Sequence, residues 1–185
     1  MSTRAHPFRI QVRDIVHRPG EMRQVHTSIP LPETWGEGLL TVRAGSELDE
    51  DLRLESVHEG ILVSGTAEAT AVGVCGRCLR DIEQSVEVEI QELFAYRKDE
   101  SFEYEVHDDH VDLEPVLRDA VVLSLPFQPI CSEDCPGLDP ETGERLTSQP
   151  ASDSRQAIDP RWAALTGFTT DISTDDSGAG DREER

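Results

Sequence analysis

The sequence predicts an α+β fold: a β-rich antiparallel sheet or partly closed barrel, one main packed helix, and a disordered C-terminal tail carrying a short helix. Three observations predict it. Period-two alternation recurs through the first ninety or so residues, a single amphipathic run follows near residue 113, and apolar residues thin out after Leu146. The expected division is a domain over residues 1–146 and an acidic tail over residues 147–185, within which 158–168 is amphipathic.

Phe8, Ile10 and Val12 alternate with Arg9, Gln11 and Arg13, the pattern of a half-buried strand that Arg18-Pro19-Gly20 interrupts. Residues 29–38 hold two prolines and two glycines and read as loop, with Trp35 pinned to the core. A short strand over Leu39–Ala44 follows, then an acidic turn over residues 45–51. Leu52 and Leu54, alternating with Arg53 and Glu55, make a further strand.

Residues 61–74 are rich in β-branched and small residues, which suits close packing within a sheet. In residues 82–94, Ile82, Val86, Val88 and Ile90 face one way while Glu83, Glu87 and Glu89 face the other. These two stretches are the expected arms of a hairpin, with Cys75-Gly76-Arg77-Cys78 at its tip.

A short strand is expected within Phe102–Val106. Asp112 is the expected N-cap of a helix that has Pro115 in its first turn and Pro126 beyond its end. Val116, Leu117, Ala120, Val121 and Leu123 supply its apolar stripe. In the tail, Asp159 and Pro160 open a short helix that places Trp162, Leu165 and Phe168 on one face, for docking on a partner or on the domain itself.

The four cysteines fall in two close pairs, Cys75/Cys78 and Cys131/Cys135, separated by residues 79–130. Two short loops each offering two thiolates can complete a tetrahedral zinc site, so the four are the expected ligands of a structural zinc ion. A disulfide framework suits a secreted chain, and nothing in Met1–Pro7 resembles a signal peptide. A redox pair is the other alternative, because Arg77 beside the thiols favours a thiolate.

Seventeen basic residues against 38 acidic ones give a formal net charge of −21. Such a field repels phosphate and attracts basic proteins. No apolar run approaches the roughly 20 residues of a membrane span, and the expected location is the cytoplasm. His107-Asp108-Asp109-His110-Val111-Asp112 offers ligand or acid–base groups, but a polar loop leading into the helix is the simpler reading.

Taken together, Cys75–Leu79 after a hairpin arm, Leu113–Ala120 as a helix, then Leu125-Pro126, Cys131, Cys135 and Pro136-Gly137-Leu138 resemble the YceD-like large ribosomal RNA subunit accumulation proteins. Asp159–Leu165 is similar to the C-terminal segment of that family. The resemblance implies a non-enzymatic factor needed for normal levels of large-subunit (23S) ribosomal RNA. The implied partners are that RNA or a pre-ribosomal particle and a basic large-subunit ribosomal protein, with neither a membrane nor a small-molecule substrate. Arg77 and Arg80 by the knuckle, with Arg9 and Arg13, are the arginines expected to meet phosphate. The alternative function is a zinc–thiolate redox regulator that releases a partner on oxidation. Many relatives carry a further close cysteine pair in a form like Gly-Leu-Cys-Pro-x-Cys-Gly, where this chain has Asp139 and Thr142. Either zinc uses Cys75, Cys78, Cys131 and Cys135 or the site is lost in this chain and the thiols are relics, with Asp139 as a further candidate oxygen ligand.

Overall fold

The computed structural model describes residues 6–97, 102–148 and 161. Its strands are β1 (Arg9–Gln11), β2 (Met22–Pro30), β3 (Leu40–Thr41), β4 (Glu47–Ser56), β5 (Gly60–Val74), β6 (Asp81–Ala95), β7 (Tyr104–Glu105) and β8 (His110–Asp112), followed by helix α1 (Glu114–Ser124). The main sheet has the order β2-β4-β5-β6-β7, with β3 also on β5, and β1 pairs with β8 in a separate ribbon. β6 and β7 run parallel while the other pairs are antiparallel, so the sheet is mixed. It is also open rather than barrel-like, because β2 and β7 lie at opposite ends of the strand order and do not pair.

The expected hairpin is the spine of the fold. β5 and β6 pair continuously from Gly60↔Ala95 to Val74↔Asp81, leaving residues 75–80 as the tip. The inner face of β5 carries Ala67, Ala69 and Ala71, all buried. Gly73 lies opposite Leu40 of β3, and a Cβ there would run into the Leu39 carbonyl oxygen. Gly73→Ala therefore has to push two strands apart. The expected loss is about 1–3 kcal/mol, the usual toll of overpacking, read as a lower denaturant midpoint at unchanged slope.

Phe8, Trp35, Leu48, Leu52, Leu54, Ile61, Val63 and Phe94 join Leu113, Leu117 and Val121 from the helix region in one core. Trp35 is pinned as expected: it is 1% exposed, its ring centroid lies 5.6 Å from that of Phe8, and its backbone exchanges two 2.9 Å hydrogen bonds with Val42.

Several elements depart from the sequence reading for identifiable reasons. β2 was not anticipated, because this end strand carries mostly exposed polar residues and only Ile29 is buried. Strand β4 begins at Glu47, so the expected acidic turn is largely strand: Leu48, Glu50, Leu52 and Leu54 point inward while Asp49 and Asp51 point out. The first strand shrinks to β1, since Val12 already starts a turn that the Ile15 and Val16 N–H groups close onto its carbonyl. Leu113, not Asp112, is the residue at the helix N-cap. Asp112 ends β8, and its Oδ1 accepts the Glu114 N–H at 3.2 Å. Leu123 lies outside the buried stripe of α1, being 84% exposed. The expected short helix over 158–168, with Trp162, Leu165 and Phe168, lies outside the described residues apart from Arg161.

Candidate metal centre

The tip closes on itself through backbone bonds. The Cys75 N–H donates to the Arg80 carbonyl at 2.8 Å, and the Leu79 N–H to the Cys75 carbonyl at 2.9 Å. The turn this makes holds Leu79 at φ 53°, a left-handed conformation uncommon for a residue with a Cβ. The loop after α1 is laid against it by the Gly76 N–H, which donates to the Pro129 carbonyl at 2.7 Å.

That docking brings all four cysteines together. Their Sγ atoms lie within 4.8 Å of one another, with Cys75 to Cys135 at 3.8 Å and Cys78 to Cys131 at 3.7 Å. All four are free thiols; Cys75, Cys78 and Cys135 are buried and Cys131 is partly exposed. A tetrahedron with metal–sulfur bonds of about 2.3 Å has edges of about 3.8 Å, so the two measured separations match a four-thiolate site.

The protonation of the cluster points the same way. Burial pushes the Cys75 thiol up, but N–H groups of Cys78, Arg77 and Cys131 aimed at its sulfur outweigh burial and bring it down to about 6. Two of these are seen directly, from Arg77 and Cys131 at 3.4 Å each. Cys135 is pushed up to about 12 by burial, against the Gly137 N–H that lowers it, and its hydrogen bonds to the other three thiols hold its proton further. Four crowded thiols cannot all ionise unaided, whereas a divalent cation removes that obstacle. The residues present fit a metal ion held by four thiolates.

Arg77, expected to meet phosphate, is exposed on the tip, and its Nη1 donates to the carbonyls of Glu133 at 3.0 Å and Cys135 at 3.3 Å. Arg9 and Arg13 lie in and beside the β1 ribbon, facing Asp112 at 3.7 Å and Asp109 at 2.9 Å. Arg80 is exposed on the tip. Asp139 is not in the thiol group; its Oδ1 accepts N–H groups of Glu141 and Thr142 at 2.8 and 2.9 Å, which hold its carboxyl below the usual range. His107 and His110 exchange backbone bonds across a tight turn in which Asp108 and Asp109 have positive φ, and among the described residues neither histidine enters a three-donor cluster. His6, Asp112 and Glu114 do form such a cluster, held by a 2.8 Å His6–Glu114 contact. It lies at the positive end of α1, an unfavourable place for a cation.

Sequence reasoning missed Arg145. Its Nε and Nη2 donate to the Cys78 and Leu79 carbonyls, each at 2.9 Å. No local motif marks it, because its partners lie more than sixty residues away. The outer face of the sheet is acidic, with Asp49, Glu68 and Glu87 directly opposite one another on β4, β5 and β6 and all exposed. Like charges in such a row oppose strand pairing.

These features define a class: an open β-sheet protein with a four-cysteine centre at a hairpin tip, able to bind a metal ion, and with an anionic sheet face. Comparison with known proteins gives the family. The model of the large ribosomal RNA subunit accumulation protein YceD matches residues 63–169. An uncharacterized protein of Mycobacterium tuberculosis is 44% identical over 168 residues, covering 87% of this chain and 81% of that protein. An uncharacterized protein of Mycobacterium leprae is 35% identical over 186 residues, covering 96% and 85%. The uncharacterized protein YlbN of Bacillus subtilis is 31% identical over 96 residues, covering 49% and 56%. No solved structure matches the chain significantly. The chain belongs to the YceD family of large ribosomal RNA subunit accumulation proteins. Among the described residues, no helix is long and apolar enough to cross a membrane.

Proposed function

We propose that this protein is a non-catalytic ribosome-biogenesis factor that supports accumulation of 23S ribosomal RNA in the cytoplasm. The observation that carries the reading is the family match over residues 63–169, which contains all four cysteines and both arms of the hairpin tip. In this reading Cys75, Cys78, Cys131 and Cys135 hold a structural zinc ion, which ties the hairpin tip to the loop after α1 and takes no part in a reaction. The row of Asp49, Glu68 and Glu87 supports a basic partner such as a large-subunit ribosomal protein, whose charges would relieve the cross-strand repulsion.

The test is ultraviolet crosslinking in cells followed by a low-salt pull-down, with RNA and protein identified from one sample. Low salt preserves phosphate contacts, which weaken steeply as salt rises. Enrichment of 23S RNA or a pre-ribosomal particle over a mock pull-down is expected. Recovery of neither RNA nor ribosomal protein above the mock would overturn the reading. Arg80→Glu is the informative variant for direct contact, since Arg77→Glu would also break the bonds to Glu133 and Cys135. A drop in RNA crosslinks in Arg80→Glu, with protein partners retained, is the expected mark of direct phosphate contact.

A further inference from the structure

The turn that follows the second cysteine loop repeats the hydrogen-bond plan of the first knuckle without its sulfur. In the knuckle, Cys75 Sγ accepts the N–H groups of Arg77 and Cys78, the Cys75 carbonyl accepts the Leu79 N–H, and the Cys75 N–H donates to the Arg80 carbonyl. In the later turn, Asp139 Oδ1 accepts the N–H groups of Glu141 and Thr142, two and three residues on. The Asp139 carbonyl accepts the Gly143 N–H at 2.8 Å, four residues on, and the Asp139 N–H donates to the Glu144 carbonyl at 2.8 Å, five residues on. Even the left-handed residue coincides, Leu79 at φ 53° in one and Gly143 at φ 73° in the other.

A thiolate and a carboxylate oxygen are both anionic acceptors, so either can organise the same run of N–H groups. The later turn contains no cysteine, and the bonds to the Asp139 side chain and backbone close it. It also ends on Arg145, whose Leu138↔Arg145 bridge and the Leu146 N–H to the Gly137 carbonyl at 3.0 Å fasten it beside the second loop. From there the Arg145 fork reaches the Cys78 and Leu79 carbonyls. These belong to the segment where the backbone turns left-handed just after a cysteine whose Sγ faces Cys131.

We propose that residues 139–145 form a metal-free knuckle whose role is to present Arg145 as a positioning residue for the four-thiolate centre. The guanidinium fixes the carbonyls on either side of the left-handed residue, so that Cys78 keeps its sulfur toward Cys131, and its charge offsets that of the thiolates. Arg77 does the matching work from the first loop, on the Glu133 and Cys135 carbonyls. The proposal rests on the metal reading above.

The test titrates the full apo chain with cobalt(II), follows the thiolate-to-cobalt absorption, and then measures zinc affinity by chelator competition. Arg145→Met is expected to keep the metal stoichiometry, alter the cobalt band and weaken zinc binding about 10–100-fold, the usual range for groups that orient metal ligands. Asp139→Ala is expected to act in the same direction, the double variant to be no worse than Arg145→Met alone, and Asp139→Asn, which keeps the acceptor oxygen, to stay near wild type. Arg145→Lys keeps the charge and loses the fork, and is expected to remain weak. Wild-type affinity and cobalt spectrum in both Arg145→Met and Asp139→Ala would overturn the proposal, as would full recovery in Arg145→Lys. If the wild-type chain takes up no metal the underlying metal reading falls as well, which separates the two failures.

Discussion

Cys75→Ser is expected to abolish tight metal binding and to release the loop after α1 from the hairpin tip. Cys75 is fully buried, its sulfur lies 3.8 Å from that of Cys135, and it accepts N–H groups from both loops. A serine hydroxyl is a hard donor that does not ionise at neutral pH, so a soft four-ligand set becomes three. Structural zinc contributes about 10–16 kcal/mol to small zinc-finger peptides that fold only with metal. Here the core around Trp35, Leu52 and Phe94 does not depend on the cysteines, so the effect falls on the tip and on residues 127–146. The expected signature is loss of zinc by elemental analysis, with fast hydrogen exchange and protease cutting confined to that loop and the sheet still protected. A Cys75→Ser chain that keeps stoichiometric zinc, or one that unfolds throughout, would contradict this picture.

The second large effect belongs to Glu50. Inward alternation of β4 places it between Leu48 and Leu52, opposite Thr27 and Ala67. There it is 4% exposed, and among the described residues neither carboxylate oxygen has a hydrogen-bond partner. Burial disfavours its charged form and raises its pKa from 4.5 to about 7. Between those two values the folded chain holds a proton that the unfolded chain has released, so stability falls as pH rises through this window and levels off above it. A shift of that size corresponds to about 3 kcal/mol lost between mildly acidic and mildly alkaline conditions. Glu50→Gln is expected to flatten the slope of unfolding free energy against pH between about 5 and 8. Comparing the slopes of the two chains, not their absolute stabilities, cancels the histidines that titrate in the same range. Parallel pH profiles for the two chains would show that Glu50 is ionised throughout.

The hairpin was legible because alternation in Ile82–Ile90 meets a run of small and β-branched residues in 61–74, and a two-cysteine tip lies between them. The helix was legible from Pro115, Pro126 and the spacing of Val116, Leu117 and Val121. Cysteine count alone suggested one site, while its assembly depends on long-range bonds such as Gly76 to Pro129 that no spacing rule encodes. Glu50 misled the reading because a charge beside Asp49 and Asp51 looks like turn, whereas Leu48 and Leu52 hold the strand in the core. Met22–Pro30 hid its strand because its exposed polar side chains mask the alternation. The bonds from Arg77 to the Glu133 and Cys135 carbonyls were not legible, because a sequence cannot show which carbonyls lie within reach of a guanidinium.

The most direct measurement is the ratio of 23S to small-subunit ribosomal RNA in cells lacking the gene, then supplied with the wild-type chain or with Cys75→Ser/Cys135→Ser. The ratio is expected to fall on deletion, to recover with the wild-type chain and to stay low with the double variant. An unchanged ratio on deletion would contradict the proposed function. Full recovery with the double variant would mean that the four-cysteine centre is not what supports ribosomal RNA accumulation.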